Sequence, residues 1–257
     1  MQKEEITLQK DELEKKKYEL EYVNKTKDKF FSILGHDLKG PVTALTFLTE
    51  MLKSEWKSLD ESMRVDYVTH IDKSSQQIKN LVLNLLEWAR SQSGQVKLEP
   101  VAFPVRKVFD ENVELLLQQA NQKQITLQVE TDADHFIYGD YNMICTVVRN
   151  ILSNSIKYTP RGGQIHLSSV WNGNGTTRIR IKDSGVGMEK AILEKLFSID
   201  KGPSMKGTEK ETGTGLGLVI SHEFTQLNKG HLYAESIVGQ GSSFYIELPS
   251  IPAEVSR

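Results

Sequence analysis

The chain has a single cysteine, Cys145, in 257 residues. A disulfide framework is therefore excluded, which fits a reducing, cytoplasmic setting. It has almost no net charge: 32 Lys and Arg stand against 34 Asp and Glu, a formal −2. That balance gives no reason to expect a nucleic-acid partner. No apolar run approaches the roughly 20 residues that span a bilayer, so no membrane contact is expected of this chain itself. No signal peptide is visible, because the N-terminus is a Lys- and Glu-rich helical pattern. A Walker A loop is missing too. No Gly-Lys-Ser/Thr follows Gly213, and Leu218 breaks the pattern Gly-x-Gly-x-x-Gly. What remains is a chain of ordinary apolar and charged content, long enough for one large or two modest domains.

The N-terminal third reads as helix. Ile6, Leu13 and Leu20 repeat every seven residues, as do Gln9, Lys16, Val23 and Phe30 with polar interruptions. The narrow seam continues through Phe31, Leu34 and Leu38. Pro41 falls inside the pattern, yet apolar spacing resumes at Val42, Leu45, Leu48 and Leu52, so a kink is expected there rather than an end. Residues 54–62 read as a turn. A second stripe follows at Val68, Ile71, Ile78, Leu81, Leu85 and Trp88, and it stops near 91–94. Two helices cannot bury both stripes alone, so dimerisation into a four-helix bundle is expected. An intramolecular coiled-coil spacer is the alternative. The heptads begin abruptly, which leads us to expect a fragment of a longer protein and leaves open an upstream membrane-anchored sensor. A natural soluble protein starting at Met1 is the other reading.

From Val96 the texture becomes α/β. The expected order is a strand at Val96–Glu99, a helix with Val108, Val113, Leu116 and Leu117, and a strand at Ile125–Val129. Next comes a helix capped by Asp140 that carries Ile144, Val147, Val148, Ile151 and Leu152. A hairpin pairs Ile165 and Leu167 with Ile179 and Ile181 through Asn172-Gly173-Asn174-Gly175. Residues 198–212 have few apolar anchors and read as a mobile loop. A helix at Leu216–Asn228 and a hairpin of His231–Ile237 with Ser243–Leu248 close the chain. Such a mixture predicts a two-layer α+β sandwich. The expected domains are 1–94, with 1–27 an entering helix, and 95–257.

Four motifs carry chemistry. Asn150, Asn154 and Lys157 are spaced i, i+4, i+7 and share one helix face, with Tyr158 beside them. Asn154 can offer a neutral oxygen to Mg²⁺, and Lys157 a point charge to phosphate. Asp183 ends the Ile179/Ile181 strand and is followed by Gly185 and Gly187. A carboxylate there can accept from an exocyclic amine while the glycines permit close approach. Gly213, Gly215 and Gly217 run into a helix N-terminus, whose free N–H groups suit phosphate. Upstream, Phe30-Phe31-Ser32-x-Leu34-Gly35-His36-Asp37-Leu38-Lys39-Gly40-Pro41 places a histidine one turn before the proline. His36 is the candidate nucleophile. Asp37 could orient its ring or take its proton, and Lys39 could meet an incoming phosphoryl group.

These motifs, in this order, resemble the catalytic core of the sensor histidine kinases of two-component signalling, from about residue 25 to residue 249. Phe30–Pro41 is similar to that family's H box, Asn150–Tyr158 to the N box, Asp183–Gly187 to G1, Phe197 to the F box. Gly213–Gly217, with Thr214 and Leu216 between the glycines, is similar to G2 of the Bergerat-type ATP-binding fold. The resemblance implies that ATP phosphorylates His36, that the phosphate passes to an aspartate on a response-regulator receiver domain, that Asn154 binds Mg²⁺, and that Asp183 reads adenine. In one position the chain departs from the pattern. The fourth residue after the histidine is often Thr or Asn, which supports a water for dephosphorylation, but here it is Gly40. Phosphatase activity is therefore doubtful. Two alternatives stay open: another Bergerat-type ATPase, which would normally carry Glu where Asn150 stands, and a degenerate kinase serving as a scaffold.

Overall fold

The computed structural model describes residues 10, 13, 14, 16, 17, 21, 35, 38–92, 98–131, 136–198, 206–209, 211 and 215–251, with the backbone alone at 80, 83, 84, 86–92 and 251. Most of the N-terminal heptad seam, His36, Asp37, Val96, Lys97, residues 199–205, Gly213 and Thr214 lie outside that set. The chain divides into two compact units, Met1–Leu85 and Leu86–Arg257.

The first unit is a helical hairpin. Helix α1 covers residues 38–55 and runs through Pro41. The turn after it is pinned: Arg64 donates to the Trp56 carbonyl at 2.7 and 3.1 Å and lies 4.8 Å from the centre of the Trp56 ring. Helix α2 spans Glu61–Gln92. Asp60 opens it by accepting the Met63 N–H at 2.8 Å, satisfying one of the donors that a helix start leaves unpaired. The stripes expected on this hairpin are only partly covered. Of those stripes Leu81 is buried, Leu45, Leu48, Leu52, Ile71, Ile78 and Leu85 are half-buried, and Val42 and Val68 are exposed; beside them Leu59 is buried and Phe47, Met63, Val65 and Val82 are exposed. No helix among the described residues is long and apolar enough to cross a membrane.

The second unit contains strand β1 (Pro100–Pro104), helix α3 (Val105–Gln122), β2 (Thr126–Glu130), β3 (Phe136–Asp140), α4 (Tyr141–Tyr158), β4 (Gln164–Trp171), β5 (Thr176–Asp183), a one-turn α5 (Lys190–Leu193), α6 (Gly217–Leu227), β6 (His231–Ile237) and β7 (Gly241–Ile251). Among the described residues the strands form one seven-stranded sheet in the order β1-β3-β7-β5-β4-β2, with β6 also on β7. Among the described strands only β2 and β4 pair in parallel. The hairpin expected between the Ile165 and Ile179 strands is present, with Leu167 opposite Ile181. The closing hairpin of β6 and β7 is present as well.

One face of the sheet supplies Ile165, Leu167, Ile179, Ile181, Phe244, Ile246 and Leu248, all buried. Helices α3, α4 and α6 cover it with Phe109, Ile144, Val148, Leu152 and Ile220, each 0% exposed. Each such side chain contributes about 1.5–3 kcal/mol relative to exposure. The opposite face carries Arg178, Arg180, Tyr233, Tyr245 and Glu247, which gives the two-layer sandwich its polar side.

Three expectations need correction. Of the strand expected at Val96–Glu99, Val96 and Lys97 lie outside the described residues and Leu98 and Glu99 are not in a strand, while β1 occupies Pro100–Pro104. It is an edge strand paired only with β3, where missing proline N–H groups can face away from the ladder. Strand β3 has no counterpart in the expected order, where Asp140 is a helix cap alone. It does cap α4, accepting the Met143 N–H at 3.1 Å, but it also ends β3. In α3 the buried face is Val105, Val108, Phe109, Asn112, Leu116 and Ala120, a cleaner 3.6 period, and Leu117 is 45% exposed.

Candidate functional site

Helix α4 fixes the first part of the site. Its apolar face, Ile144, Val148 and Leu152, is fully buried against the sheet. Asn150, Asn154 and Lys157 lie half-buried on the other side. Asn150 Nδ2 donates to the Gly217 carbonyl at 3.2 Å and to Ser221 Oγ at 3.3 Å. A Cβ at Gly217 would lie 3.4 Å from Asn150 Cγ, an ordinary packing distance, so the two helices are in direct contact here. This polar tie sets the start of α6 beside the middle of α4. Lys157 Nζ lies 4.7 Å from the centre of the Tyr158 ring.

Asp183 is the buried carboxylate of the site, 3% exposed at the end of β5. Its Oδ1 accepts the Gly185 N–H at 2.9 Å and the Ser242 N–H at 3.0 Å. Its Oδ2 accepts the Ser155 hydroxyl at 3.3 Å. Burial pushes the carboxyl above its ordinary value, and those three hydrogen bonds oppose the shift without cancelling it. The glycines around it are sterically required. A Cβ at Gly185 would sit 2.6 Å from Asp183 Oδ1 and 2.7 Å from the Tyr158 carbonyl oxygen. Gly187 has φ +68, and a Cβ there would lie 2.0 Å from the Ile237 carbonyl oxygen. The Val186 N–H in turn bonds the Tyr158 carbonyl at 3.1 Å, which joins this turn to the end of α4.

Gly215 has φ +68 and leads into α6 through the buried Leu216. The first N–H groups of α6 have no carbonyl of their own helix to bond. Phe197 stacks on His222 of α6, centroids 5.6 Å apart and planes at 21°. Burial, and then the charge of His231, lower the His222 pKa. The structure thus brings Asn150, Tyr158, Asp183, Gly185, Gly187, Gly215, Leu216 and Gly217 around the junction of α4, β5 and α6, with Asn154 and Lys157 on the same face of α4. Gly213, Thr214, His36 and Asp37 lie outside the described residues. Lys39 is an exposed residue of α1 in the helical unit.

Several contributors had no prior signal. Ser155, Ser221 and Ser242 are small polar residues of the kind that fill loops and caps everywhere. Gly241, at φ +97, would place a Cβ 2.0 Å from the Asp183 carbonyl oxygen. Asn228 accepts the Asp140 N–H at 2.6 Å and donates to the Phe224 carbonyl at 2.8 Å, fixing the end of α6 to β3. The segment after Phe197 also differs from expectation where it is described. Residues 206–209 and Glu211 are anchored by polar contacts, which a count of apolar anchors could not register.

A buried carboxylate beside a glycine turn, a polar helix face and a helix entered through a left-handed glycine fit an ATP-binding domain of the Bergerat type. The family model described as histidine kinase-, DNA gyrase B-, and HSP90-like ATPase matches residues 139–252, and that of the His Kinase A (phospho-acceptor) domain matches residues 26–94. With a phospho-acceptor domain preceding the ATPase domain, the chain belongs to the sensor histidine kinases and comprises their catalytic core. The adaptive-response sensory kinase SasA of Synechococcus sp. (strain JA-3-3Ab) is 28% identical over 87% of this chain, which spans 59% of that protein's length. The Acinetobacter baumannii histidine kinase AdeS has a similar fold, with a TM-score of 0.66 at 20% identity over 83% of this chain and 97% of that one. The histidine kinase ThkA, solved in complex with the response regulator protein TrrA, gives a TM-score of 0.64 at 22% identity over 93% of this chain and 67% of that one.

Proposed function

We propose that the chain is an ATP-dependent protein histidine kinase that phosphorylates its own His36 and passes the phosphoryl group to an aspartate on a response-regulator receiver domain. The observation that carries the reading is Asp183. A carboxylate is placed almost wholly out of water, held by two backbone amides and a hydroxyl, and has acceptor capacity left over. An exocyclic amine such as that of adenine is the complementary group.

In this reading Asp183 selects the base. The N–H groups at the start of α6 and the Lys157 ammonium attract the phosphates. Asn150 acts as a brace between α4 and α6, already committed to Gly217 and Ser221. A neutral ring nitrogen of His36 attacks the γ-phosphorus. The N–P bond forms as the bond to the β-phosphate oxygen breaks, ADP leaves, and the other ring nitrogen gives its proton to Asp37. Lys39 offsets charge on the group in transit. In the second step the phosphoryl group passes from that nitrogen to a carboxylate oxygen, and the ring is neutral again after the proton returns.

Mg²⁺ fits the donor set. Among the described residues no group of three or more His, Cys, Asp or Glu could cage a metal. Asn154 offers one neutral carboxamide oxygen, which suits an ion carried mainly by phosphates and water. When bound, the ion would neutralise charge on the transferring phosphates.

The exposed Val65, Val68 and Val82 of α2, and Val42 and Phe47 of α1, support a homodimer closing a four-helix bundle. The proposed domains are 1–94 and 95–257, acting in the cytoplasm. Of the rivals, a different Bergerat-type ATPase would need a general base where Asn150 stands, and a carboxamide cannot accept a proton at neutral pH. A scaffold would be expected to lose a residue of the kinase step, whereas the one departure, Gly40, bears only on dephosphorylation. Incubation with γ-labelled ATP and Mg²⁺ tests the reading. Acid-labile, alkali-stable label on the chain supports it, and absence of label at saturating ATP counts against it.

A further inference from the structure

Lys123 is the most deeply buried lysine among the described residues, 5% exposed at the C-terminal cap of α3. An ammonium in that position is costly unless it is fully paired. It has four acceptors. Nζ lies 2.8 Å from the Ile156 carbonyl oxygen, 3.1 Å from that of Lys157, 2.7 Å from Thr208 Oγ1 and 2.9 Å from Glu211 Oε1. The first two are carbonyls of the last turn of α4, which have no partner inside their helix. A cation there is also favoured by the helix dipole. The other two belong to the segment that precedes the Gly213–Gly217 run.

That segment is tied to the same spot by its own groups. The Thr208 N–H bonds the Lys157 carbonyl at 3.1 Å, and Thr208 Oγ1 lies 3.1 Å from the Thr159 carbonyl oxygen. The Gly207 N–H bonds the Glu211 carbonyl at 2.8 Å, closing a tight turn. A Cβ at 207 would meet Glu211 Oε2 at 2.3 Å and Lys157 Cγ at 2.6 Å, so a side chain there would have to displace the Glu211 carboxylate that Lys123 holds. Arg161 and Glu209 add an exposed pair at 3.1 Å. Gly213 follows Glu211 by two residues.

We propose that Lys123 is a positioning residue for nucleotide binding: its buried ammonium latches residues 206–209 and Glu211 to the C-terminal end of α4, beside Lys157, on the chain's approach to Gly215 and α6. This rests on the nucleotide reading above. Lys123 touches no nucleotide. It acts through the phosphate-binding turn, so its loss weakens recognition of the phosphates and spares recognition of the base by Asp183.

Two measurements on the full chain test this. The first is hydrogen exchange at the Gly207 and Thr208 amides without nucleotide. The second is calorimetric affinity for ADP and for adenosine. Lys123→Met keeps the apolar stem and removes the charge. It is expected to speed exchange at Gly207 and Thr208 about tenfold, to leave Ile179 and Ile181 unchanged, and to weaken ADP about tenfold with adenosine unaffected. Should Lys123→Met fail to fold, Thr208→Val and Glu211→Ala decide, since both lie in the surface segment and each removes one acceptor of the Lys123 ammonium. Unchanged exchange in the folded variants would overturn the latch. Faster exchange with unchanged ADP affinity, or equal losses for ADP and adenosine, would overturn the positioning role. Failure of the unmodified chain to bind ADP would instead remove the nucleotide reading and the role built on it, while the exchange result would still report on the latch.

Discussion

Replacing Asp183 by asparagine isolates the charge of the proposed base reader. The carboxamide oxygen can keep the place of Oδ1 and go on accepting the Gly185 and Ser242 N–H groups, now at 2.9 and 3.0 Å. The NH₂ then takes the place of Oδ2 and can donate to Ser155 Oγ. The fold therefore loses little. It also sheds a buried charge, because burial already favours the protonated acid in the folded chain. A raised carboxyl stabilises most at low pH and loses that contribution as pH rises through its midpoint. At neutral pH the variant should be at least as stable as the parent. Nucleotide binding should suffer, because an NH₂ group now faces the amine it should accept from. Loss of a hydrogen bond to a charged group costs about 1.5–3 kcal/mol, or roughly 10- to 150-fold in affinity. The assay is ATP titration by calorimetry beside a thermal melt. In the parent, affinity should fall as pH is lowered, with a midpoint above the usual aspartate value of about 4, and the variant should show no such fall. Equal ATP affinity for the two proteins, or a lost melting transition in the variant, would refute this account of Asp183.

The glycines and the helical hairpin supply three more tests. Gly187→Ala forces a Cβ to within 2.0 Å of the Ile237 carbonyl oxygen at φ +68 and should cost at least ~2 kcal/mol, whereas Gly173→Ala, with nothing within 4 Å, should cost only the ~1–2 kcal/mol of its left-handed conformation; equal denaturation midpoints for the two variants would contradict the packing described. A Cβ at Gly40 meets nothing within 4 Å, so Gly40→Thr or Gly40→Asn should fold and should raise loss of phosphate from a purified phospho-regulator; rapid dephosphorylation by the unmodified chain would show that another group positions the water. The intact chain should sediment as a dimer at micromolar concentration through α1 and α2, and a monomer there would contradict the covering proposed for Val65, Val68 and Val82.

What was legible in the sequence was what depends on short spacing. Alternation alone placed Ile165 and Leu167 against Ile179 and Ile181, with Asn172-Gly173 marking the turn. The i, i+4, i+7 spacing put Asn150, Asn154 and Lys157 on one side of α4. The glycines after Asp183 point to close backbone approach, which Gly185 and Gly187 make. The illegible parts depend on residues far apart in the chain. Strand β3 is short and holds Gly139, whose missing side chain makes room for Asn228, 89 residues further on. Leu117 stands at the border of the α3 stripe, where an apolar residue has no periodic reason to face either way. The Lys123 latch spans 85 residues to Thr208 and 88 to Glu211, and a lysine in a polar run reads as solvated until its acceptors are seen.

The most direct test of the central claim is label incorporation by His36→Gln beside the unmodified chain. Both proteins are incubated with γ-labelled ATP and Mg²⁺, and their ATP affinity is measured in parallel. The account predicts acid-labile label on the unmodified chain, none on His36→Gln, and nearly equal ATP affinity, because the acceptor lies in the helical unit while Asp183, Asn150 and Gly217 lie in the other. Persistent acid-labile label on His36→Gln would move the acceptor to another residue and contradict the mechanism proposed here.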